Sequence, residues 1–243
     1  MWWISILCPI FGTYVYLKMS HFLKLRFVEN RSVQTSQFDA PVKYFSMVHN
    51  TALAGFSLYT CASLCERVYA NGFVVQSGYY MSDPGIKRLI FWFYVSKYYE
   101  YFDTFLLYMK GRNPIFLQKY HHIGAVFFWH LCYVYDIDAI VLGSVFNSGV
   151  HTIMYSYYLT TLFNIQTRGL RQYITSLQIA QLTIGLWWSS YQYYPPVETD
   201  WNYGIIVLFD MYIVGLILMF GKFAADNYSV DFAKQNRQVK CAS

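Results

Sequence analysis

Charge is what this sequence has least of. Only 13% of its 243 residues are Asp, Glu, Lys or Arg, against 56% hydrophobic and 21% aromatic. A soluble domain carries about a quarter of its residues charged, so an ordinary soluble fold is excluded and an integral membrane protein is expected. CxxC pairs are also missing. Cys8, Cys61, Cys65, Cys132 and Cys241 stand apart, mostly in apolar windows, which argues against a disulfide framework and for packing roles. Internal repeats, Pro- or Gly-rich linkers and low-complexity blocks are absent too, so one membrane domain, 1–243, is expected. Within it, 1–88 holds two helices and a lumenal loop, 89–223 the polar motifs, and 224–243 a polar, frayed cytosolic tail. The opening run "MWWISILCPIFGTYVYL" lacks the basic region that precedes a cleavable signal, because its first cation, Lys18, follows the apolar stretch; it reads as a retained helix.

What is present is a series of apolar windows of about 20 residues, each long enough to cross a hydrocarbon layer of roughly 30 Å. They fall at 2–19, 44–65, 89–109, 115–134, 138–163, 172–192 and 201–223, predicting seven spanning helices, with "YDID" as a tight hairpin between the fourth and fifth. Cations set the orientation. Lys18, Lys24, Arg26, Arg31, Lys43, Lys110, Arg112, Lys119, Arg168, Arg171, Lys222, Lys234, Arg237 and Lys240 all fall on one face, while Arg67, Lys87 and Arg88 fall on the other. The N-terminus is therefore expected in the lumen and the tail in the cytosol. The net charge of +5 then belongs to the cytosolic face, which suits an anionic lipid surface or a phosphate-bearing ligand.

Several windows contain residues that are expensive there. A central charge costs on the order of 2.5–3.5 kcal/mol even on the lenient insertion scale. The third window nevertheless holds Lys97, Glu100 and Asp103 at steps of three, which places them on one broad stripe of a helix. The fourth opens with Gln118, Lys119, His121 and His122. The fifth stacks Asn147 and His151 on one face, continued by Met154, Tyr155 and Tyr158, and the sixth has Thr175, Gln178 and Gln181 at steps of three. At ~1.5 Å per residue Lys97, Asp103, His121, His122, His151, Gln178 and Gln181 fall roughly 9–18 Å below the cytosolic helix ends. The expectation is one polar, cytosol-proximal chamber above an apolar shaft, suited to an amphiphile with a charged head and a long tail. His130 lies further down the fourth window, and His21 and His49 receive no chemical role.

The stretches "KYYEYFDTF" (Lys97, Glu100, Asp103, Thr104), "QKYHH" (Gln118, His121, His122), "NSGVHTIMYSYY" (Asn147, His151, Met154, Tyr155, Tyr157, Tyr158) and "TSLQIAQ" (Thr175, Gln178, Gln181) resemble, in order and spacing, the motifs of the ELO family of very-long-chain fatty acid elongases. The similarity spans about 89–228. Gln118 departs from the histidine common at that place, which bears on that position and not on the paired histidines.

The resemblance implies a 3-oxoacyl-CoA synthase of the endoplasmic reticulum: an all-α membrane protein of seven transmembrane helices, six forming a barrel-like bundle around a substrate tunnel. It condenses acyl-CoA with malonyl-CoA and releases CO2 and CoA. By that resemblance His121 is the nucleophile that becomes an acyl-imidazole, an imidazole being uncharged and available near neutral pH. His151 and Asn147 stabilise the enolate oxygen, and His122 and Asp103 orient His121. Substrate contacts are expected from Lys97, Glu100, Gln118, Tyr155, Tyr158, Gln178 and Gln181. Lys110, Arg112, Lys119, Arg168, Arg171 and Lys222 are candidates for the phosphates of CoA. No cofactor, metal or nucleic acid is expected. The expected partners are the two acyl thioesters and membrane lipid, with a homodimer admissible, and the reductases and dehydratase of the elongation cycle.

Three other readings compete. A membrane di-iron desaturase or hydroxylase uses HxxxH and HxxHH clusters and needs more than the six histidines present. A retinal protein needs a mid-membrane lysine, whereas the seventh window offers only Asp210, and a receptor has no use for the histidine layer. A transporter would be supported by an inverted repeat or matched broken helices, and neither is visible.

Overall fold

The computed structural model describes residues 2–29, 39–72, 79–165, 168–190 and 200–241, and among these there is no strand. The chain forms α1 (Trp2–Lys24), continued by a π-helical turn (Leu25–Glu29), then α2 (Asp39–Asn71), α3 (Pro84–Tyr99), α4 (Tyr101–Met109), α5 (Phe116–Val134), α6 (Ala139–Leu162), α7 (Arg168–Ser190) and α8 (Asp200–Cys241). Helices α3 and α4 are the two halves of the third predicted segment, so the described helices make seven rods, each overlying one predicted window. The rod breaks at Glu100, where the Asp103 amide bonds the Glu100 carbonyl three residues back, at 3.0 Å. Such a tightened turn inside a helix is common at functional sites.

The ends of these helices follow from local chemistry. Asp83 caps α3 by accepting from the amides of Gly85 and Ile86, with Pro84 at the first turn where its missing N–H costs nothing. Three helices close in the same way, with a residue at positive φ and the next amide folded back onto the last turn. Gly111 (φ 68) ends α4 with Arg112 N–H to Leu107 C=O at 2.9 Å. Asp136 (φ 52) ends α5 with Ile137 to Cys132 at 2.9 Å, and Asn164 (φ 56) ends α6 with Ile165 to Thr160 at 3.3 Å. The "YDID" hairpin is thus a helix stop followed at once by a helix start. Asp138, buried at the head of α6, does not cap its own helix. Its carboxylate accepts from the amides of Tyr80 (3.0 Å) and Met81 (2.9 Å), and so pins the connector that precedes α3 to the α5–α6 hairpin.

One expectation needs correction. The polar tail does not fray at 224: α8 runs on to Cys241, and after Gly221 the sequence offers no Gly or Pro to stop it. Among the described residues one helix, Asn202–Tyr228, with a mean hydropathy of 2.3, combines the length and apolarity of a membrane span by hydropathy alone. The other rods have their averages lowered by tyrosine, tryptophan and the ionisable groups described below. Several of them still expose large apolar side chains: Leu7, Phe11, Leu58, Trp92, Phe116 and Tyr173 are all more than half exposed. The "YYPPVETD" break and the middle of the 66–88 loop lie outside the described residues.

Helix α2 packs most extensively on α6, which in turn packs on α7, and α7 on α8, while α5 is held between α3, α1 and α8. One core cluster fills the Asp138 end of the bundle, built on Leu64, Ile86, Ile90, Phe93, Trp129, Ile140 and Phe209. In the opposite half, smaller clusters around Leu53, Met154, Tyr155 and Ile174 and around Tyr16, Tyr101 and Val126 leave room for a cavity.

Candidate active site

A cavity of about 590 Å3 occupies that half. Its walls come from α2, the α3–α4 junction and α4, α5, α6, α7 and α8, and among the described residues α1 contributes none. Asp103, Glu100, Gln118, His121, His122, Asn147, His151, Tyr155, Tyr158, Gln178 and Gln181 all line it, so residues from four sequence motifs on separate helices share one space. Lys110, Arg112 and Arg171 stand at its mouth. Lys119 lies instead over the Tyr108 ring at 5.8 Å, Lys222 is exposed on α8 outside the lining, and the Arg168 side chain lies outside the described residues.

Lys97 is buried behind the wall rather than in it. Its ammonium donates to Glu100 Oε1 at 2.8 Å and to Asn147 Oδ1 at 2.9 Å, and lies 4.0 Å from the centroid of the Phe93 ring. A buried ammonium and carboxylate are tolerable only when paired and hydrogen-bonded in this way. The Lys97 bridge uses the Asn147 carbonyl oxygen, leaving the amide hydrogens as donors. His151 Nδ1 sits 3.4 Å from the same Glu100 Oε1, without the alignment of a hydrogen bond. Two motifs, one on the α3–α4 rod and one on α6, thus meet on one carboxylate.

The adjacent histidines of α5, His121 and His122, face different partners. The rings of His121 and His151 are 6.3 Å apart, centroid to centroid, across the cavity. On its other side His121 meets Tyr212 of α8, whose hydroxyl donates to the His121 carbonyl at 3.0 Å and lies 3.4 Å from Nδ1. Tyr212 reaches this position only because residue 124 is glycine: a Cβ there would collide with the Tyr212 ring. With Nδ1–H directed to the phenol oxygen, Nε2 keeps its lone pair. Asp103 does not touch His121. Its Oδ2 accepts from Tyr155 at 2.7 Å and lies 4.0 Å from His122 Nε2, and its Oδ1 is 2.8 Å from His49 Nε2. Gln118 donates to Thr104 Oγ1 at 3.5 Å, and Thr104 also meets Tyr16 of α1 at 3.1 Å. Gln178 reaches the Met154 sulfur at 3.4 Å, and Thr175 bonds the Arg171 carbonyl and the Tyr228 hydroxyl.

Glu100, His121 and His122 each offer a ligand atom within 4.8 Å of the others, the one such grouping among the described residues. A cation there would compete with the Lys97 ammonium, already 2.8 Å from Glu100, so the donor set fits a metal poorly. Tyr212 and His49 belong to no motif identified in the sequence.

Chemically, the cavity offers an imidazole with a free nitrogen, a second imidazole and an amide facing it, a buried carboxylate beside the histidine pair, and cations at the entrance. The sequence is also similar to known proteins. The family model described as "GNS1/SUR4 family" (ELO) matches residues 2–237. "Fatty acid elongase sre1" of Dictyostelium discoideum is 30% identical over 214 residues, covering 82% of this chain and 78% of that protein. "Fatty acid elongase 6" of Leishmania major is 30% identical over 74% of this chain, which spans only 51% of that relative's length. "Very long chain fatty acid elongase 5" of Xenopus tropicalis is 26% identical, covering 81% and 69%.

Proposed function

The chain belongs to the GNS1/SUR4 (ELO) family, and from that premise we propose that it elongates fatty acids as a 3-oxoacyl-CoA synthase, joining an acyl-CoA to malonyl-CoA. The observation that carries the proposal is the convergence of His121, His122, His151 and Asp103 from separate helices on one cavity with cations at its mouth.

In the first half-reaction His121 Nε2 attacks the acyl-CoA carbonyl, the C–S bond breaks and CoA leaves. The Nδ1 proton, held toward Tyr212, is the one the acylated ring must give up, and it balances the departing thiolate as CoASH. In the second, malonyl-CoA loses CO2 and its enolate carbon attacks the acyl group. The C–N bond then breaks, and the released imidazole takes up one proton. His151 and the Asn147 amide face the place where the enolate oxygen forms, and an oxyanion donor of this kind is worth on the order of 10²–10³ in kcat. Glu100, gripped by Lys97, keeps His151 in place. Lys110, Arg112 and Arg171 receive the CoA phosphates, and the acyl tail lies against the apolar part of the cavity wall, which includes Leu182, Ile213, Leu216 and Phe220.

We place the protein in the endoplasmic reticulum membrane with seven spans, six of them around the tunnel, the N-terminus lumenal and the tail cytosolic. The uneven distribution of cations and exposed apolar side chains such as Leu7, Leu58, Trp92, Phe116 and Tyr173 support this placement. The expected protein partners are the reductases and dehydratase that complete the cycle.

Purified protein incubated with a panel of acyl-CoAs and labelled malonyl-CoA should form 3-oxoacyl-CoA, detected by mass spectrometry, and should keep its rate after chelation. No condensation product with any chain length, or stoichiometric iron whose removal abolishes activity, would overturn the proposal.

Gln118 provides a milder test. Its amide can hold Thr104 but cannot transfer a proton at neutral pH, so a positioning role is expected. Gln118→His should keep most activity. Gln118→Leu should lose about 10-fold, since an unmet buried partner costs roughly 1–3 kcal/mol. Equal rates for the leucine variant and the parent would reduce Gln118 to packing.

A further inference from the structure

His49 lies in the middle of α2, outside the family motifs, and is fully buried. Aromatic rings enclose it: Tyr99 at 5.0 Å between centroids, Phe45 and Tyr155 at 6.2 Å, and Phe102 at 6.4 Å. One polar contact leaves this box, from Nε2 to Asp103 Oδ1 at 2.8 Å, while Nδ1 has no hydrogen-bond partner among the described residues. The proton of the imidazole is therefore best used on Nε2, as a donor to the carboxylate.

Asp103 is held on both oxygens by different helices. His49 of α2 takes Oδ1, and Tyr155 of α6 donates to Oδ2 at 2.7 Å. A carboxylate fixed at both oxygens cannot rotate about its terminal bond, so Oδ2 stays turned toward His122 Nε2, 4.0 Å away. Without the His49 anchor the carboxylate is free to swing away from His122, and one buried oxygen is left without its donor.

We propose that His49 is a positioning residue, acting through Asp103 to set the orientation of His122 in the active site. The inference rests on the condensing activity proposed above. A purely structural role, filling the aromatic box, makes the opposite demand on substitutions, and the test turns on that difference. Glutamine places an amide N–H near the position of Nε2 but is not aromatic; phenylalanine fills the box but donates nothing.

The expected result is that His49→Gln stays within about threefold of the parent kcat, while His49→Phe loses roughly 10–100-fold in kcat with KM for acyl-CoA little changed, the range typical of partners that orient a functional histidine. In an Asp103→Ala background His49→Phe should add no further loss, because the carboxylate through which His49 acts is already gone. The reverse order, phenylalanine near parent and glutamine poor, would overturn the proposal. A second readout does not depend on turnover: ¹⁵N NMR of histidine-labelled protein in detergent, with His122 assigned by its own substitution. The His122 ring signals should shift in His49→Phe and not in His49→Gln, and an unmoved His122 signal in the phenylalanine variant would overturn the inference even if the parent made no 3-oxoacyl-CoA. Should His49→Phe fail to fold, His49→Leu serves the same comparison, since it too lacks a donor.

Discussion

A His121→Ala protein should bind acyl-CoA, form no covalent acyl adduct, and release no CoA when malonyl-CoA is withheld. Intact-protein mass spectrometry and a thiol assay read the two outcomes directly, and overall condensation should fall by on the order of 10⁴ or more, the scale seen when a nucleophile is removed. The variant should fold: His121 is only partly buried, and of its two contacts with Tyr212 the shorter, through the backbone carbonyl, is retained by alanine. His151→Ala makes the contrast. That ring faces His121 across 6.3 Å and is assigned to the second half-reaction, so the variant should still release CoA in the first half and then stall with acyl-enzyme accumulated. The two histidines are close enough to exchange roles on paper, and the order of the half-reactions separates them. Normal CoA release from His121→Ala, with none from His151→Ala, would transfer the nucleophile to α6.

The helices were legible because membrane-scale apolar windows leave little freedom. The window 115–134 became Phe116–Val134, and 138–163 became Ala139–Leu162. The interruption at Glu100 was not legible, since hydropathy and helical periodicity run through it; it coincides with a carboxylate that Lys97 of α3 and His151 of α6 share. In the site, the cost of burying ionisable groups pointed to Lys97, Glu100, Asp103, His121, His122 and His151, and they do converge. What spacing alone could not supply was partnership. Asp103 is turned toward His49 and His122 rather than His121, because rotamer and the approach of α2 and α6 decide which side of α4 it faces. His49 carried the same signal as the others, an ionisable group inside the window 44–65, and that signal was the one to follow. Tyr212 had no such signal: it is one of 25 tyrosines, most of which read as ordinary membrane aromatics. Its only trace was Gly124, a small residue three places after His121, which on a helix opens the same face to a close neighbour.

Lys97→Met should cost the protein most of its folded yield. The substitution keeps the apolar stem but leaves Glu100, 2% exposed, as a buried carboxylate without its cation, and breaking one side of a buried pair is worth about 3–5 kcal/mol. It also frees the Asn147 oxygen and the face of the Phe93 ring from the ammonium. Size-exclusion profile and thermal melting in detergent would show the loss. Removing both charges, as Lys97→Met with Glu100→Gln, should recover much of that stability, because no ion is then left unpaired and the new amide can still bond its neighbours. Activity should not recover with it: Asn147 is no longer clamped and His151 no longer faces a carboxylate, so condensation should remain down by about 100-fold or more while CoA release in the first half-reaction is much less affected. That separation of folding from chemistry is what the buried pair predicts. A single Lys97→Met protein as stable and as active as the parent would mean that Glu100 does not need its cation, and that the grip on Asn147 and His151 has another source.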